Sequence, residues 1–341
     1  MPSGRYFYID ALKVLAIFLV IVNHTNSSIF INKSPSFEWF ASVAYFYASK
    51  VAVPVFIMCT GALLLSKIDS YKKHASRVWR GVIILIIASF VYYYSGNGFQ
   101  ITPENFNSFI HYFINKPTSN AMWYLYLYIG IVSVMPFLQR LANCMTKRDT
   151  EVLILLSLIA PGLASVAGHF MNLSLYERAD FFLYSYPIGY LFLGYYINKY
   201  SEGLSIKSSI LLLIFMLSTA ISTVLTYVQF DEGYSISLYW SYLSSLTVVI
   251  PSASIFYLLK RVCDGVEVHS KSSIISTISL STFGMYLFSD MVMILTGNYY
   301  TRLSTSLNPL LSCFIWQVSI FTLAFIASFL ARKIPVVKRY L

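Results

Sequence analysis

The stretch RYFYIDALKVLAIFLVIVNHTNSS, residues 5–28, begins with charged residues and continues as an apolar run that contains one histidine, His24. An apolar run of about 20 residues is long enough for a helix to cross a hydrocarbon core of about 30 Å. It is longer than the apolar part of a secretory signal peptide, and no small-residue cleavage site follows it. The stretch therefore predicts a membrane-spanning helix that is not removed as a signal.

Similar apolar runs recur along the whole chain. The 341 residues are 57% hydrophobic and 11% charged, with a mean hydropathy of +0.66. A soluble domain of this size cannot bury that much apolar surface. We predict an all-α, polytopic transmembrane bundle that forms a single domain over residues 1–341. Ten spans are expected, at about 11–31, 43–65, 79–96, 121–141, 152–170, 180–198, 208–228, 236–259, 274–296 and 310–331.

The lysines and arginines indicate the orientation of the bundle. With a cytoplasmic N-terminus, five of the 24 basic residues lie on the outer side, namely Lys33, Lys50, Lys116, Arg178 and Arg302, and the other 19 lie inside. This distribution favours an even number of spans with both termini in the cytoplasm. We expect a multi-pass protein of the inner (plasma) membrane. The topology also accounts for most of the net charge of +10, so no nucleic-acid partner is expected.

The four cysteines show no paired spacing. They are Cys59, Cys144, Cys263 and Cys313. This distribution resembles neither a disulfide framework nor a metal site. No bound metal is expected.

His24 is the histidine that lies well inside a predicted span. An ionisable side chain at that depth either packs with a hydrogen bond to a neighbouring helix or faces a water-filled cavity. Asp10 precedes it by 14 residues, which places the two residues on nearly the same helix face but about 21 Å apart along the axis. They therefore cannot form a catalytic pair on one straight helix. In the simplest interpretation, the negative charge of Asp10 stabilises the N-terminal end of the helix, and the Lys13 side chain extends to the membrane surface.

Three further cations have two possible roles each. Arg77 and Arg80 are spaced i, i+3 where the third span begins. The bias of cytoplasmic loops towards basic residues is sufficient to explain them, yet an arginine pair can also hold a polyphosphate through bidentate hydrogen bonds. Lys50, in the outer half of the second span, either extends to the outer surface or acts as a cavity cation that stabilises an oxyanion.

The first helix resembles the opening signature of acyltransferase family 3. In IDALKVLAIFLVIVNH the residues Asp10, Leu12, Ala16 and His24 match that signature, and Lys13 replaces an arginine.

Further segments resemble motifs of the same family, in the same order. They are VPVFIMCTGALLL with Gly61, RVWR, MWYLYLYIGI around Trp123, GYLFLGYYI with Gly194, and STFGMYLFSDMVM with Tyr286. In the last segment Ser289 replaces a common histidine, so no role of that histidine can be carried over. The resemblance covers nearly the whole chain and is greatest to the short, single-domain type that acetylates enterobacterial common antigen.

The resemblance implies transfer of an acyl group, usually acetyl, from cytoplasmic acyl-CoA to a sugar hydroxyl of a lipid-linked or surface glycan. Acetyl-CoA would be a co-substrate, with no permanently bound cofactor, and membrane lipid would surround the protein. His24 would act as general base. Lys13, Arg77 and Arg80 would bind the donor phosphates, oriented by Asp10. The residues expected to line the substrate path are Lys50, Trp123 and Tyr286.

Two alternatives and one local question stay open. A transporter or polysaccharide-export component would contain repeats and helices broken at corresponding positions. A sensor would bind acyl-CoA without turnover. The deep histidine together with the inner cations favours the enzyme. The amphipathic outer segment 97–120 is either an interfacial helix or an ordinary loop.

Overall fold

The computed structural model describes residues 6–31, 33–96, 102–119, 122–171, 185–203, 205–230, 237–263 and 274–340. These residues form helices and connecting segments, and none of them is in a β-strand. The all-α prediction is confirmed. In chain order the helices are α1 (Phe7–Thr25), α2 (Ser27–Phe30), α3 (Phe37–Ser49), α4 (Ala52–Leu64), α5 (Tyr71–Gly96), α6 (Pro103–Asn115), α7 (Trp123–Cys144), α8 (Lys147–Ile154), α9 (Ala160–Phe170), α10 (Tyr186–Tyr200), α11 (Ser208–Val228), α12 (Leu246–Val262), α13 (Ile274–Ser306), α14 (Pro309–Ala331) and α15 (Pro335–Lys338).

Within these described ranges, nine helical segments are long and apolar enough to cross a membrane. They correspond to nine of the ten expected spans. The tenth, expected at 180–198, begins outside the described residues. Its described part is α10, which is largely buried. Three basic residues used in the orientation argument, Arg5, Arg178 and Lys271, also lie outside the described residues.

Helix α1 lies at the centre of the bundle. It contacts α3, α4, α12, α13 and α14, and 11 of its 19 residues are buried. A helix that is apolar around most of its circumference is expected to be enclosed by other helices. This central position gives side chains on different faces of α1 access to different interior spaces.

The second expected span, 43–65, consists of two helices. Helix α3 ends at Ser49 and α4 begins at Ala52. Pro54 causes the division because it has no N–H, and its ring clashes with the carbonyl group four residues earlier, that of Lys50. The helical hydrogen-bond ladder is therefore interrupted at Lys50, in the middle of the bundle.

Helices α4 and α10 meet at two glycines. A Cβ atom at Gly61 would lie 1.9 Å from the carbonyl oxygen of Leu191, and one at Gly194 would lie 2.1 Å from that of Met58. Small residues allow such close approach between helix backbones in a membrane protein. The contact explains physically why two segments that resemble family motifs each contain a glycine.

The amphipathic outer segment contains a helix, α6. The Thr102 side chain accepts a hydrogen bond from the backbone N–H of Asn105 and caps its N-terminus. Phe109 is buried, with its ring centroid 5.6 Å from that of Phe90 and 5.4 Å from that of Tyr93. Residues 103–115 of the segment therefore form a helix that packs against α5, and not an ordinary loop.

Candidate functional site

A cavity of about 560 Å³ lies inside the bundle, along α1. Its walls come from α1, the divided span α3–α4, α5, α7, α13 and the segment 241–243 before α12. Six of the eight residues that the sequence analysis singled out line this cavity, namely Lys13, His24, Lys50, Arg80, Trp123 and Tyr286. The structure therefore brings together residues that are up to 273 positions apart in sequence.

One end of the cavity is cationic. Lys13 projects from α1 and Arg80 from α5. The Nε of Arg80 donates a hydrogen bond to the carbonyl oxygen of Tyr340, at 3.0 Å. Neither cation forms an ion pair within the part of the chain that the structure describes. This end is suited to an anionic group, such as a phosphate.

The other end contains a histidine, a lysine and an amide. His24 is 11 residues after Lys13 on α1, which corresponds to about 16 Å along the helix axis. The Nζ of Lys50 lies 4.1 Å from the ring centroid of Phe46, a cation–π contact. Asn23 also lines this end, and its Oδ1 is buried without a hydrogen-bond partner among the described residues.

The His24 ring lines the cavity and has no hydrogen-bond partner among the described residues, so it can form a hydrogen bond with a substrate there. Lys50 lines the same cavity and acts electrostatically on His24. A neutral imidazole is suited to accept a proton, and an adjacent ammonium group is suited to stabilise a developing negative charge.

An aromatic wall connects the two polar ends. The ring centroids of Phe56 and Tyr124 are 6.1 Å apart, and those of Tyr124 and Tyr286 are 5.6 Å apart. At the histidine end the accessible lining residues are Trp123 and Tyr242, at 37% and 50% exposure. At the other end Arg80 is exposed. The cavity is therefore an apolar passage with an accessible polar region at each end.

Arg77 lies outside the cavity, in contrast to the expected arginine pair. Its Nη1 is 2.8 Å from Oδ2 of Asp69, and the Nζ of Lys73 is 2.6 Å from Oδ1 of the same carboxylate. Burial alone would raise the pKa of Asp69, but hydrogen bonds from Lys73, Arg77 and Gln139 hold that pKa well below its usual range. Arg77 therefore stabilises the loop that contains Asp69, whereas Arg80, one helical turn later, lines the cavity.

Asp10 also lies away from the cavity lining. It is 3% exposed and accepts hydrogen bonds from Ser276 Oγ at 3.2 Å and Ser279 Oγ at 2.7 Å. Among the described residues, Asp10 forms no ion pair with Lys13, Arg77 or Arg80, the three expected partners. Asp10 joins α1 to α13, and any effect on catalysis would be through the position of α1.

Sequence reasoning missed two residues beside His24. Asn23 is adjacent to His24 in sequence, and the lack of a hydrogen-bond partner for its Oδ1 among the described residues is visible only in the structure. Asp290, on α13, interacts electrostatically with His24 and accepts a hydrogen bond from the hydroxyl of Ser119. The signal for Asp290 was an acidic residue inside an apolar run.

Comparisons with known proteins agree with the resemblance. A family model described as an acyltransferase domain matches residues 6–333. A search of curated proteins and a search of solved structures each found no match. A family of acyltransferases supports the enzyme over the transporter that the sequence left open. The chain belongs to acyltransferase family 3 and is a multi-pass membrane protein of the acyltransferase class.

Proposed function

We propose that the protein transfers an acetyl group from cytoplasmic acetyl-CoA to a sugar hydroxyl of a cell-envelope glycan, in the inner membrane. The observation that carries this proposal is a single cavity with two cations at one end and a histidine beside a lysine at the other.

The shape and polarity of the cavity suit acetyl-CoA. The donor carries phosphates on its nucleotide part and a thioester at the end of a long, flexible arm. Phosphates bound by Lys13 and Arg80 would be held by charge-assisted hydrogen bonds. The arm would follow the aromatic wall, and the thioester would reach His24, about 16 Å along α1 from Lys13. Lys13 and Arg80 lie at the end of the cavity that is expected to face the cytoplasm, where acetyl-CoA would enter.

The groups at the histidine end suit direct acyl transfer. His24 accepts the proton of the acceptor hydroxyl as its oxygen attacks the thioester carbonyl carbon. The ammonium group of Lys50 stabilises the oxyanion of the tetrahedral intermediate. When the intermediate collapses, the C–S bond breaks, and His24 returns the proton to the departing thiolate of CoA. Each group ends in its starting protonation state.

The open side of this end suits a sugar. Trp123 and Tyr242 present partly exposed aromatic rings, and the amide residue Asn23 also lines the cavity at this end. Aromatic faces and single amide groups are features of sites that orient a polar ring on an apolar surface. The accessible position beside lipid favours a lipid-linked or surface glycan as acceptor.

The donor site is tested by thermal unfolding of the purified protein in detergent, with and without acetyl-CoA. A ligand at 100 times its dissociation constant adds about 2.7 kcal/mol to the free energy of unfolding. We expect a clear rise in Tm that is lost in Arg80→Ala and in Lys13→Met. Arg77→Ala is the matched control, because its arginine pairs with Asp69 outside the cavity. It should retain the ligand-induced shift, whatever its own starting Tm.

Two further comparisons separate binding from chemistry. S-acetyl pantetheine lacks the nucleotide phosphates, so any stabilisation by it should not depend on Arg80. His24→Ala should keep the acetyl-CoA shift but lose transfer of radiolabelled acetyl to membrane acceptors. Absence of a shift with folded wild-type protein would refute the donor site. Full transfer by His24→Ala would refute the catalytic role of the histidine.

A further inference from the structure

His24 lines a second, much smaller space as well as the main cavity. This void measures about 10 Å³ and is bordered by Ser289 and Asp290 of α13. Its remaining lining residues are apolar, namely Ile21, Met293 and Ile320. A volume of this size corresponds to about one water molecule. The imidazole of His24 therefore lies between the substrate cavity and a space shared with a carboxylate.

The surrounding structure fixes the position of Asp290. The hydroxyl of Ser119 donates a hydrogen bond to its carboxylate. The hydroxyl of Tyr92 donates to the carbonyl oxygen of Leu287 at 2.7 Å and accepts from the backbone N–H of Met291 at 3.0 Å. Tyr92 thereby holds the turn of α13 that carries Asp290. The aspartate is 9% exposed, so its orientation is set by the protein and not by solvent.

An acidic side chain in this position is costly unless it has a partner. Asp290 acts electrostatically on His24, and Lys50 does so from the cavity side. The histidine is therefore placed between an anion and a cation. In this arrangement the ring nitrogen on the side of the carboxylate carries the hydrogen atom, and the other ring nitrogen can accept a proton.

We propose that Asp290 is a positioning residue for His24 and acts on the ring through a single water molecule in the void. It fixes the orientation of the ring and stabilises the imidazolium that forms when His24 accepts the proton of the acceptor hydroxyl. Asp290 stays a carboxylate throughout, so the proton moves between the acceptor, His24 and the thiolate of CoA alone. This inference rests on the proposed function.

The test measures transfer of radiolabelled acetyl from acetyl-CoA to endogenous acceptors in inverted membrane vesicles from cells that produce the protein. Varying acetyl-CoA gives the apparent kcat and the apparent KM of the donor. Asp290→Asn should lower the apparent kcat about 100-fold, the scale of a general-base effect, and change the donor KM less than about twofold. Asp290→Glu restores the charge and should recover at least about a tenth of the wild-type rate.

Glu151→Gln is the matched control, because it removes a carboxylate charge from α8, at an exposed position that lines neither the cavity nor the void. It should retain wild-type kinetics. Stabilisation of each variant by acetyl-CoA verifies that it is folded.

Wild-type kinetics in Asp290→Asn would overturn the inference. Equal losses in Asp290→Asn and Asp290→Glu with a raised donor KM would also overturn it, since that pattern indicates a structural role. If the wild type itself neither binds acetyl-CoA nor transfers the label, the proposed function is refuted, and the inference with it.

Discussion

Replacing Gly61 with alanine should separate α4 from α10. The new Cβ would lie 1.9 Å from the carbonyl oxygen of Leu191, whereas ordinary contact begins at 3.4 Å. The helices must therefore move apart by about 1.5 Å at this point. Both atoms that the methyl group meets first are backbone atoms, so no side-chain rotation can relieve the clash. Overpacking of this kind costs typically about 1–3 kcal/mol, and we expect the upper end of that range.

The matched control is Gly130→Ala, on α7, where no heavy atom lies within 4 Å of the added Cβ. Both substitutions gain about 1 kcal/mol of helix propensity, so the difference between the two variants isolates the clash. The free energy of unfolding is measured by SDS titration in mixed micelles. We expect Gly61→Ala to be less stable than Gly130→Ala by about 3 kcal/mol.

The second glycine provides an internal check. Gly194→Ala should be destabilised in a similar way, because its Cβ would lie 2.1 Å from the carbonyl oxygen of Met58. The double variant should cost less than the sum of the two, since the first substitution already opens the contact. Equal stability of Gly61→Ala and Gly130→Ala would refute the reasoning.

Three other variants test separate parts of the structure. Asp69→Asn should lower Tm by the same amount at pH 5.5 and pH 8. A carboxyl group with a lowered pKa stabilises the fold fully above its ordinary pKa of about 4, and this stabilisation is lost only as the pH falls through the folded-state pKa. A decrease in Tm at pH 8 alone would contradict this. Phe109→Ala should make α6 sensitive to protease while Phe106→Ala, with a side chain that is 47% exposed, should not; equal cleavage in both would show that α6 does not depend on this contact. Lys50→Met should reduce acetyl transfer at least about 100-fold without changing stabilisation by acetyl-CoA, as for a lost oxyanion donor, and an unchanged rate would exclude that role.

The sequence was sufficient to predict most of the spans, because apolar length is a local property of the chain. It also identified His24 and Arg80, since an ionisable residue within or beside a long apolar run is costly. The division of the second span was equally local. Pro54 removes a hydrogen bond to the carbonyl group of Lys50, and this effect depends only on the spacing of the two residues.

Partners between distant helices were not predictable in the same way. Asp10 accepts hydrogen bonds from Ser276 and Ser279, which are more than 260 residues away in sequence. The periodicity of one helix does not indicate which other helix packs against it. Arg77 and Arg80 were grouped because they share a face of α5. The structure shows that a carboxylate in the preceding loop binds one of them. Asp290 was missed for a related reason, because its importance depends on α13 lying against α1.

The wall of the cavity is formed partly by long helices and partly by the short segment 241–243. The cationic end is formed by Arg80 of α5 and by Lys13 of α1, a helix with 11 of its 19 residues buried. The open side near His24 includes residues 241–243, which are the end of a single helical turn (Tyr239–Ser241) and the beginning of its connection to α12. Substitutions in a connecting segment disturb fewer neighbours than substitutions in a buried helix. Under the proposed function, selection can therefore alter acceptor choice in this segment while donor recognition stays unchanged, and acceptor specificity should diverge faster than donor specificity among related chains.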